Sequence, residues 1–150
     1  MIKPIQKSVE INASKEAVWN VLFDVNNYPK WAGAFSEGSR AEVADDWKEG
    51  TGVVFSSGDE SMGLAGTIKT NKPLEYMEIS YLGMLSNGKI DTESEGAKSM
   101  VGARESYTLT EKDGVTLLNI YSDMDEQYYD MMSAAWDEAF ATIKKLAEKK

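Results

Sequence analysis

The feature that most constrains the fold is an apolar stripe at helical spacing within residues 125–150. Its members recur every three or four positions, which predicts one long amphipathic helix. The stripe consists of Tyr128, Met132, Ala135, Trp136, Ala139, Phe140, Ile143, Leu146 and Ala147. Acidic residues precede it and lysines follow it, as the helix dipole favours. Such a face must be buried, so the chain needs an apolar surface roughly 36 Å long to receive it.

The rest of the chain supplies that surface as predicted strands separated by turn residues. The predicted strands cover residues 7–12, 40–47, 51–57, 62–71, 74–85, 100–110 and 115–124. Residues 58–60 form one turn, and Lys112-Asp113-Gly114 is a hairpin signal. Because the connections are mostly short, the seven strands are expected to form an antiparallel sheet.

Two short helices are predicted after the first strand. Ser14 occupies an N-cap position before an amphipathic segment at residues 15–23. Residues 26–29 are expected to end this helix, and a single apolar turn follows at 31–35. Residues 86–99 form a long polar connection with almost no core residues, which predicts either a mobile loop or a functional cover.

Composition and charge exclude several classes of catalytic site and of binding partner. The chain has no histidine and no cysteine, which excludes catalytic triads, thiol nucleophiles and the usual zinc and iron–sulfur sites. No metal site and no cofactor are predicted. The net charge of −9 disfavours nucleic acid and anionic membrane as partners, because both require basic surface. Without a secretory leader or an apolar run of about 20 residues, a single cytoplasmic domain with no membrane span is expected.

Glu105 differs from the other acidic residues because it shares strand parity with Tyr107, which is expected to face inward. On the following strand, Asn119 and Tyr121 share one face, and the neighbouring leucine and isoleucine share the other. If Asn119 and Tyr121 face inward, they and the side chains of Glu105 and Tyr107 place four polar groups in an otherwise apolar space. A carboxylate there needs a partner, a raised pKa or a polar ligand. In the other register the charges of this strand pair face solvent, and both registers are compatible with the sequence.

The order of these elements resembles the helix-grip fold of the START-like (SRPBCC) superfamily. Within it, the chain is similar to the activator of heat-shock-protein ATPase homologue family (AHSA-type). The matching segments are residues 11–19, residues 66–68 with Lys72-Pro73 and Tyr76, residues 105–114, and Ala135-Trp136 followed by Phe140 and Ile143. The last of these resembles the family's Gly-Trp-x-x-x-Leu-x-x-Leu motif, with alanine in place of glycine.

The resemblance implies an α+β fold with a curved, seven-stranded antiparallel sheet and a cavity under the long helix. It implies no shared catalytic residues. The hypothesis it favours is a binding module for a small hydrophobic or amphipathic molecule. Glu105 would orient a polar end of that molecule. The candidate lining residues, which would otherwise be plain core, are Trp31, Phe35, Tyr81, Tyr107, Asn119, Tyr121, Met132 and Trp136.

Two alternatives stay open at this point. One is a protein-interaction module associated with chaperones, whose acidic surface would meet a protein partner. The other is an enzyme of the cyclase or dehydratase type, with Glu105 as general acid or base and Tyr107 or Tyr121 donating to an oxyanion.

Overall fold

The computed structural model describes residues 2–35, 38–43, 46–58, 62–87 and 89–149. The strands are β1 (Ile2–Ile11), β2 (Arg40–Val43), β3 (Gly52–Ser56), β4 (Met62–Lys72), β5 (Tyr76–Ser86), β6 (Lys89–Asp91), β7 (Arg104–Lys112) and β8 (Val115–Asp125). The helices are α1 (Lys15–Phe23), α2 (Tyr28–Ala32), α3 (Glu95–Met100) and α4 (Tyr129–Glu148). Residues 44–45 of the predicted strand at 40–47 and residues 59–60 of the predicted turn lie outside the described ranges.

The described strands form one antiparallel sheet in the order β1-β8-β7-β5-β4-β3-β2, with the short β6 pairing beside β5. The first strand therefore pairs with the last one. The prediction of an α+β fold is confirmed, with an antiparallel sheet, two short helices after β1 and a long helix at the end. The strand β6 is an addition to the seven predicted strands.

The sheet bends around a concave face at two irregularities in β4. Its pairing with β5 shifts register between Ala65 and Gly66 and again between Ile68 and Thr70. Bulges of this kind bend a strand and increase its twist. A Cβ atom at Gly66 would lie 2.6 Å from the Ser80 carbonyl oxygen, so the close approach of the two strands requires glycine here.

The two short helices begin where local signals place them. Ser14 caps α1 as predicted, because its Oγ accepts a hydrogen bond from the Ala17 N–H at 3.2 Å. The prediction that residues 26–29 only end α1 is wrong, since α2 already begins within them. Pro29 lies in the first turn of α2, where its missing N–H is not needed. As a result Trp31 comes from a helix and is buried in the core.

The helix α4 lies on the concave face and is shorter than the predicted segment at residues 125–150. A 3-10 turn at Glu126–Tyr128, capped by the Asp125 side chain, precedes it. The helix then has 20 residues, or about 30 Å at 1.5 Å per residue. Its buried side chains are Trp136, Ala139, Phe140, Ile143 and Ala147. The buried part of the stripe therefore begins only after the first two turns of the helix.

Polar contacts between α4 and β1 add little to this packing. Lys7 Nζ lies 2.6 Å from a carboxylate oxygen of Asp137, whose side chain is 67% exposed. Lys144 Nζ donates to the Glu10 carbonyl oxygen at 3.1 Å. Exposed ion pairs contribute about 0–1 kcal/mol, so burial of the apolar stripe is the main force that holds the helix.

The prediction of a loop nearly without core residues at 86–99 is wrong. The structure has β6 and α3 there, and Ala97 is completely buried. The Ser94 Oγ caps α3 by accepting a hydrogen bond from the Ala97 N–H at 3.2 Å. Met100, at the end of α3, is 5% exposed and packs in the core. The missed signal is an N-cap serine followed by apolar residues three apart.

Replacing Ile143 by alanine removes a fully buried side chain from the middle of the α4 stripe. We expect the free energy of unfolding to fall by about 2–5 kcal/mol, because the change leaves a cavity. The matched control is Ile90→Ala at a side chain that is 57% exposed, where we expect a change below about 1 kcal/mol. Urea denaturation followed by circular dichroism measures both values, and equal losses would contradict the packing of α4 described above.

Candidate functional site

A cavity of about 380 Å³ lies between the concave face of the sheet and the helices α2 and α4. The apolar and aromatic lining residues are Tyr28, Trp31, Ala32, Phe35, Phe55, Leu64, Tyr81, Met84, Met100, Tyr107, Met124, Tyr128, Met131, Met132 and Trp136. The polar lining residues are Ser39, Arg40, Ser56, Ser57, Ser99, Glu105, Ser122, Asp125 and Gln127. Residues 129–135 of α4 have no buried side chain, which leaves the space beneath the start of the helix open.

Trp136 is the centre of an aromatic wall. Its ring centroid lies 4.9 Å from that of Phe35 and 6.0 Å from those of Trp31 and Tyr107. The Trp31 Nε1–H donates to the Val21 carbonyl oxygen at 2.9 Å, which fixes the indole ring and satisfies its buried polar atom. Edge-to-face and tilted rings at these separations pack favourably, so this wall is rigid.

The structure brings most of the predicted lining residues together at this cavity. Those that line it are Trp31, Phe35, Tyr81, Glu105, Tyr107, Met132 and Trp136. They come from α2, the segment after it, β5, β7 and α4, which are far apart in the chain. Their role as ligand contacts stays a prediction.

The placement of Asn119 and Tyr121 in the cavity is corrected by the structure. Inward positions of β8 carry Leu118 and Ile120, which are buried, and Ile120 pairs with Tyr107 of β7. Asn119 and Tyr121 therefore line a shallow polar groove on the opposite face of the sheet. Burial of the two larger aliphatic side chains decides the register. The enzymatic hypothesis accordingly keeps Tyr107 and loses Tyr121.

The Glu105 carboxylate faces the cavity and receives hydrogen bonds from neutral hydroxyl groups. Tyr107 Oη donates to Oε2 at 2.6 Å, and Ser122 Oγ makes a longer contact with Oε1 at 3.4 Å. Burial raises the pKa of Glu105 above its ordinary value, although the hydroxyls of Tyr107, Tyr81 and Ser122 lower it. Burial is therefore the larger effect, as expected for a carboxylate surrounded by apolar groups.

Three tyrosines that line the cavity are affected by the charge of this carboxylate. Burial, and next the charge of Glu105, raises the pKa of Tyr28, Tyr81 and Tyr107 well above the usual phenol value. These phenols consequently keep their protons at neutral pH. Within the described part of the chain, the Tyr28 hydroxyl makes no hydrogen bond. Its ring stacks on Phe55 with the centroids 5.6 Å apart, which holds the hydroxyl in the cavity.

Several cavity residues were not predicted from the sequence. The main ones are Tyr28, Phe55, Met84, Met100 and Ser122. Pro29 is the signal that would have placed Tyr28 at a helix start, because proline is favoured in the first helical turn. Ser122 follows directly once Ile120 is placed on the inner face, since side chains two apart share a face.

Aromatic and methionine side chains surround the opening of the cavity. Tyr128 is 44% exposed and Met131 is 62% exposed, although both line the cavity. Among the described residues, no group of three or more carboxylates is placed to hold a metal ion. None of the helices in these ranges is long and apolar enough to cross a membrane.

Solved structures with this architecture share little sequence with the chain. The Aha1 dimer from Colwellia psychrerythraea matches with a TM-score of 0.71 at 13% identity, over 97% of this chain and 96% of its own. CalU16 from Micromonospora echinospora matches with a TM-score of 0.67 at 18% identity, over 98% and 77% of the two chains. The match to DynU16, from the dynemicin biosynthetic locus, has a TM-score of 0.68 at 13% identity and covers 97% and 47%. No protein-family model and no curated protein sequence matches the chain.

The chain has a helix-grip fold. The matched structures share its long terminal helix on a curved antiparallel sheet, as the resemblance in the sequence implies. At 13% to 18% identity the comparisons establish the fold and leave the activity open. The narrower similarity to the homologues of the heat-shock ATPase activator stays a prediction.

Replacing Glu105 by glutamine removes the buried charge and keeps the side-chain shape. A raised pKa means that the folded state holds this proton more tightly than the unfolded chain does. The resulting stabilisation is complete below the ordinary carboxyl pKa and is lost as the pH rises through the raised value. We therefore expect E105Q to gain stability relative to the wild type between about pH 4 and pH 8. Urea denaturation at several pH values measures this difference.

Glu78, on the same sheet, provides a control of opposite sign. Burial raises the pKa of Glu78. Hydrogen bonds from Tyr76 and Lys69 and the charge of Lys69 together lower it by more than burial raises it, so the net change is downward. E78Q should therefore lose stability relative to the wild type as the pH rises from acid toward the ordinary carboxyl pKa of about 4.3, and the difference should stay constant from there to about pH 8. If the stabilities of E105Q and E78Q relative to the wild type changed with pH in the same way, the environment assigned to Glu105 would be wrong.

Proposed function

We propose that the chain is a binding module that holds a small hydrophobic or amphipathic molecule in the cavity beneath α4. The observation that carries this proposal is an aromatic-walled space of about 380 Å³ with a hydrogen-bonded carboxylate inside it. Ligand sites of proteins are typically concave, mostly apolar spaces of about 300–1,000 Å³ with a few placed polar groups.

The dimensions of the cavity limit the ligand. An apolar space of about 150 Å³ holds one benzene ring, so the present space suits a molecule of about two or three rings. The flat indole walls of Trp31 and Trp136 favour planar ring systems. The methionines Met84, Met131 and Met132 have flexible side chains that adapt to irregular ligand shapes.

The direction of entry follows from the exposure of the lining residues. Tyr128 and Met131 are exposed at the start of α4, whereas Trp31 and Trp136 are 1% and 2% exposed. A ligand would therefore enter past the start of α4 and place its leading end near Glu105. Any further polar group of an amphipathic molecule would lie beside Arg40 and the serines that line the cavity with it.

A fluorescent probe and a pair of leucine variants test this proposal. The neutral dye N-phenyl-1-naphthylamine brightens when it enters an apolar site, and we expect saturable brightening with the wild type. Leu64→Trp fills the cavity and should weaken binding by about tenfold or more, which is about 1.4 kcal/mol. Leu82→Trp is the matched control, because Leu82 lies on the neighbouring strand, is 50% exposed and does not line the cavity.

The outcomes separate binding in the cavity from binding elsewhere. Saturable binding that L64W weakens and L82W leaves unchanged supports the proposal. Equal effects of both variants, or no saturable binding by the wild type, contradict it. Native mass spectrometry of freshly purified wild type provides a second check, since a resident ligand adds mass that disappears on denaturation.

A protein-interaction module is the second candidate function. The observation that favours it is the exposure of Tyr128 and Met131, two large side chains on one surface beside the cavity opening. Analytical ultracentrifugation of the wild type, M131E and L64W separates the two functions. Self-association that M131E abolishes and L64W leaves intact would favour interaction through this surface over ligand binding.

A further inference from the structure

We infer that the ligand carries a neutral hydroxyl group, an alcohol or a phenol, that bridges Tyr28 and Glu105 inside the cavity. This inference rests on the proposed binding function and specifies the chemical class of the ligand. It follows from counting the hydrogen-bond donors and acceptors that the two side chains leave available toward the cavity.

The acceptor is on Glu105. An ionised carboxylate offers about four lone-pair positions, and the hydroxyls of Tyr107 and Ser122 already donate to it. At least one position is left, and Glu105 lines the cavity, so that a ligand can donate to this position. The neighbouring donors are neutral hydroxyl groups.

The donor is on Tyr28. Its hydroxyl makes no hydrogen bond within the described ranges, although the residue lines the cavity and feels the charge of Glu105. A ligand that supplies an acceptor would give this hydroxyl a hydrogen-bond partner. The stack of Tyr28 on Phe55 keeps the ring in place, so little ordering is required when the ligand binds.

A single hydroxyl satisfies both groups. Its proton goes to the remaining position on Glu105, and its oxygen accepts from Tyr28. A ligand carboxylate has no proton to donate and is repelled by Glu105. A primary ammonium has three protons and no acceptor, so it would leave the Tyr28 proton without a partner. The arrangement therefore favours a neutral hydroxyl over either ion.

Three naphthalene probes of similar size test this inference: 2-naphthol, 2-methylnaphthalene and 2-naphthoate. Their affinities are measured by displacement of N-phenyl-1-naphthylamine and by calorimetry. We expect the wild type to bind 2-naphthol at least about tenfold more tightly than 2-methylnaphthalene, and 2-naphthoate more weakly than both. The amine 2-naphthylmethylammonium is a fourth probe and should also bind more weakly than 2-naphthol.

Variants of Tyr28 and Glu105 test whether these two side chains cause the preference for the hydroxyl probe. Tyr28→Phe retains the ring and its stack, so its stability should match that of the wild type, while its preference for 2-naphthol over 2-methylnaphthalene should disappear. E105Q should reduce the same preference. The matched control is Tyr121→Phe on the opposite face of the sheet, which should bind all probes like the wild type.

The two proposals fail in different ways. If the dye binds and L64W blocks it, but 2-methylnaphthalene binds as tightly as 2-naphthol, the inference is wrong and the binding function stands. The inference is also wrong if the ammonium or the naphthoate binds more tightly than 2-naphthol. An unchanged preference in Y28F would mean that Tyr28 does not contact the ligand hydroxyl, which overturns the assigned bridge. Absence of any probe binding removes the proposed function itself.

Discussion

Burial of the apolar stripe on α4 is the interaction on which the rest of the structure depends. The helix needs an apolar surface about as long as itself, and the antiparallel sheet provides it. The sheet is bent at the irregular positions of β4, whereas the buried part of the stripe begins only at Trp136. The helix and the sheet therefore pack closely from Trp136 onward, whereas over the first two turns of the helix only partly buried side chains such as Met132 reach the core. The cavity is a consequence of that mismatch.

Protein interiors are normally packed at the density of organic crystals, so a space of about 380 Å³ is a departure that lowers stability. Trp31 and Trp136 are nearly completely buried and contact each other, with ring centroids 6.0 Å apart. A bound apolar molecule would regain the contacts that the walls lack. An ionised Glu105 is likewise unfavourable in this apolar environment, and three neighbouring hydroxyls offset the cost of burying its charge only in part.

The two faces of the sheet show how surroundings decide the properties of a carboxyl group. Glu105 and Glu78 lie on adjacent, paired strands, and one faces the cavity while the other faces outward. Glu78 has Lys69 nearby, and the pKa of its carboxyl group is lowered. The hydrogen-bond donors to Glu105 are neutral, and burial raises the pKa of its carboxyl group. Perturbed carboxyl groups of the second kind occur preferentially at functional sites, and this preference supports the cavity as the site of function.

Much of the fold was predictable because its signals are local. The Ser14 cap and the spacing of the α4 stripe depend on a few neighbouring residues. The register of β8 was not predictable, because Leu117, Leu118 and Ile120 put large apolar side chains on both faces of one strand. Only the pairing of β8 with β7 and β1 selects which of them is buried. That choice also moved Asn119 and Tyr121 to the opposite face of the sheet.

The sequence alone therefore determined the kinds of elements, their order and the need for a sheet beneath a long helix, since hydrophobic periodicity and capping act over a few residues. That Tyr28 and Glu105, from segments far apart in the chain, line the same cavity was decided by the folded structure. Burial, hydrogen-bond partners and pKa are properties of the surroundings in space. No local pattern in the chain records which distant side chains will provide those surroundings.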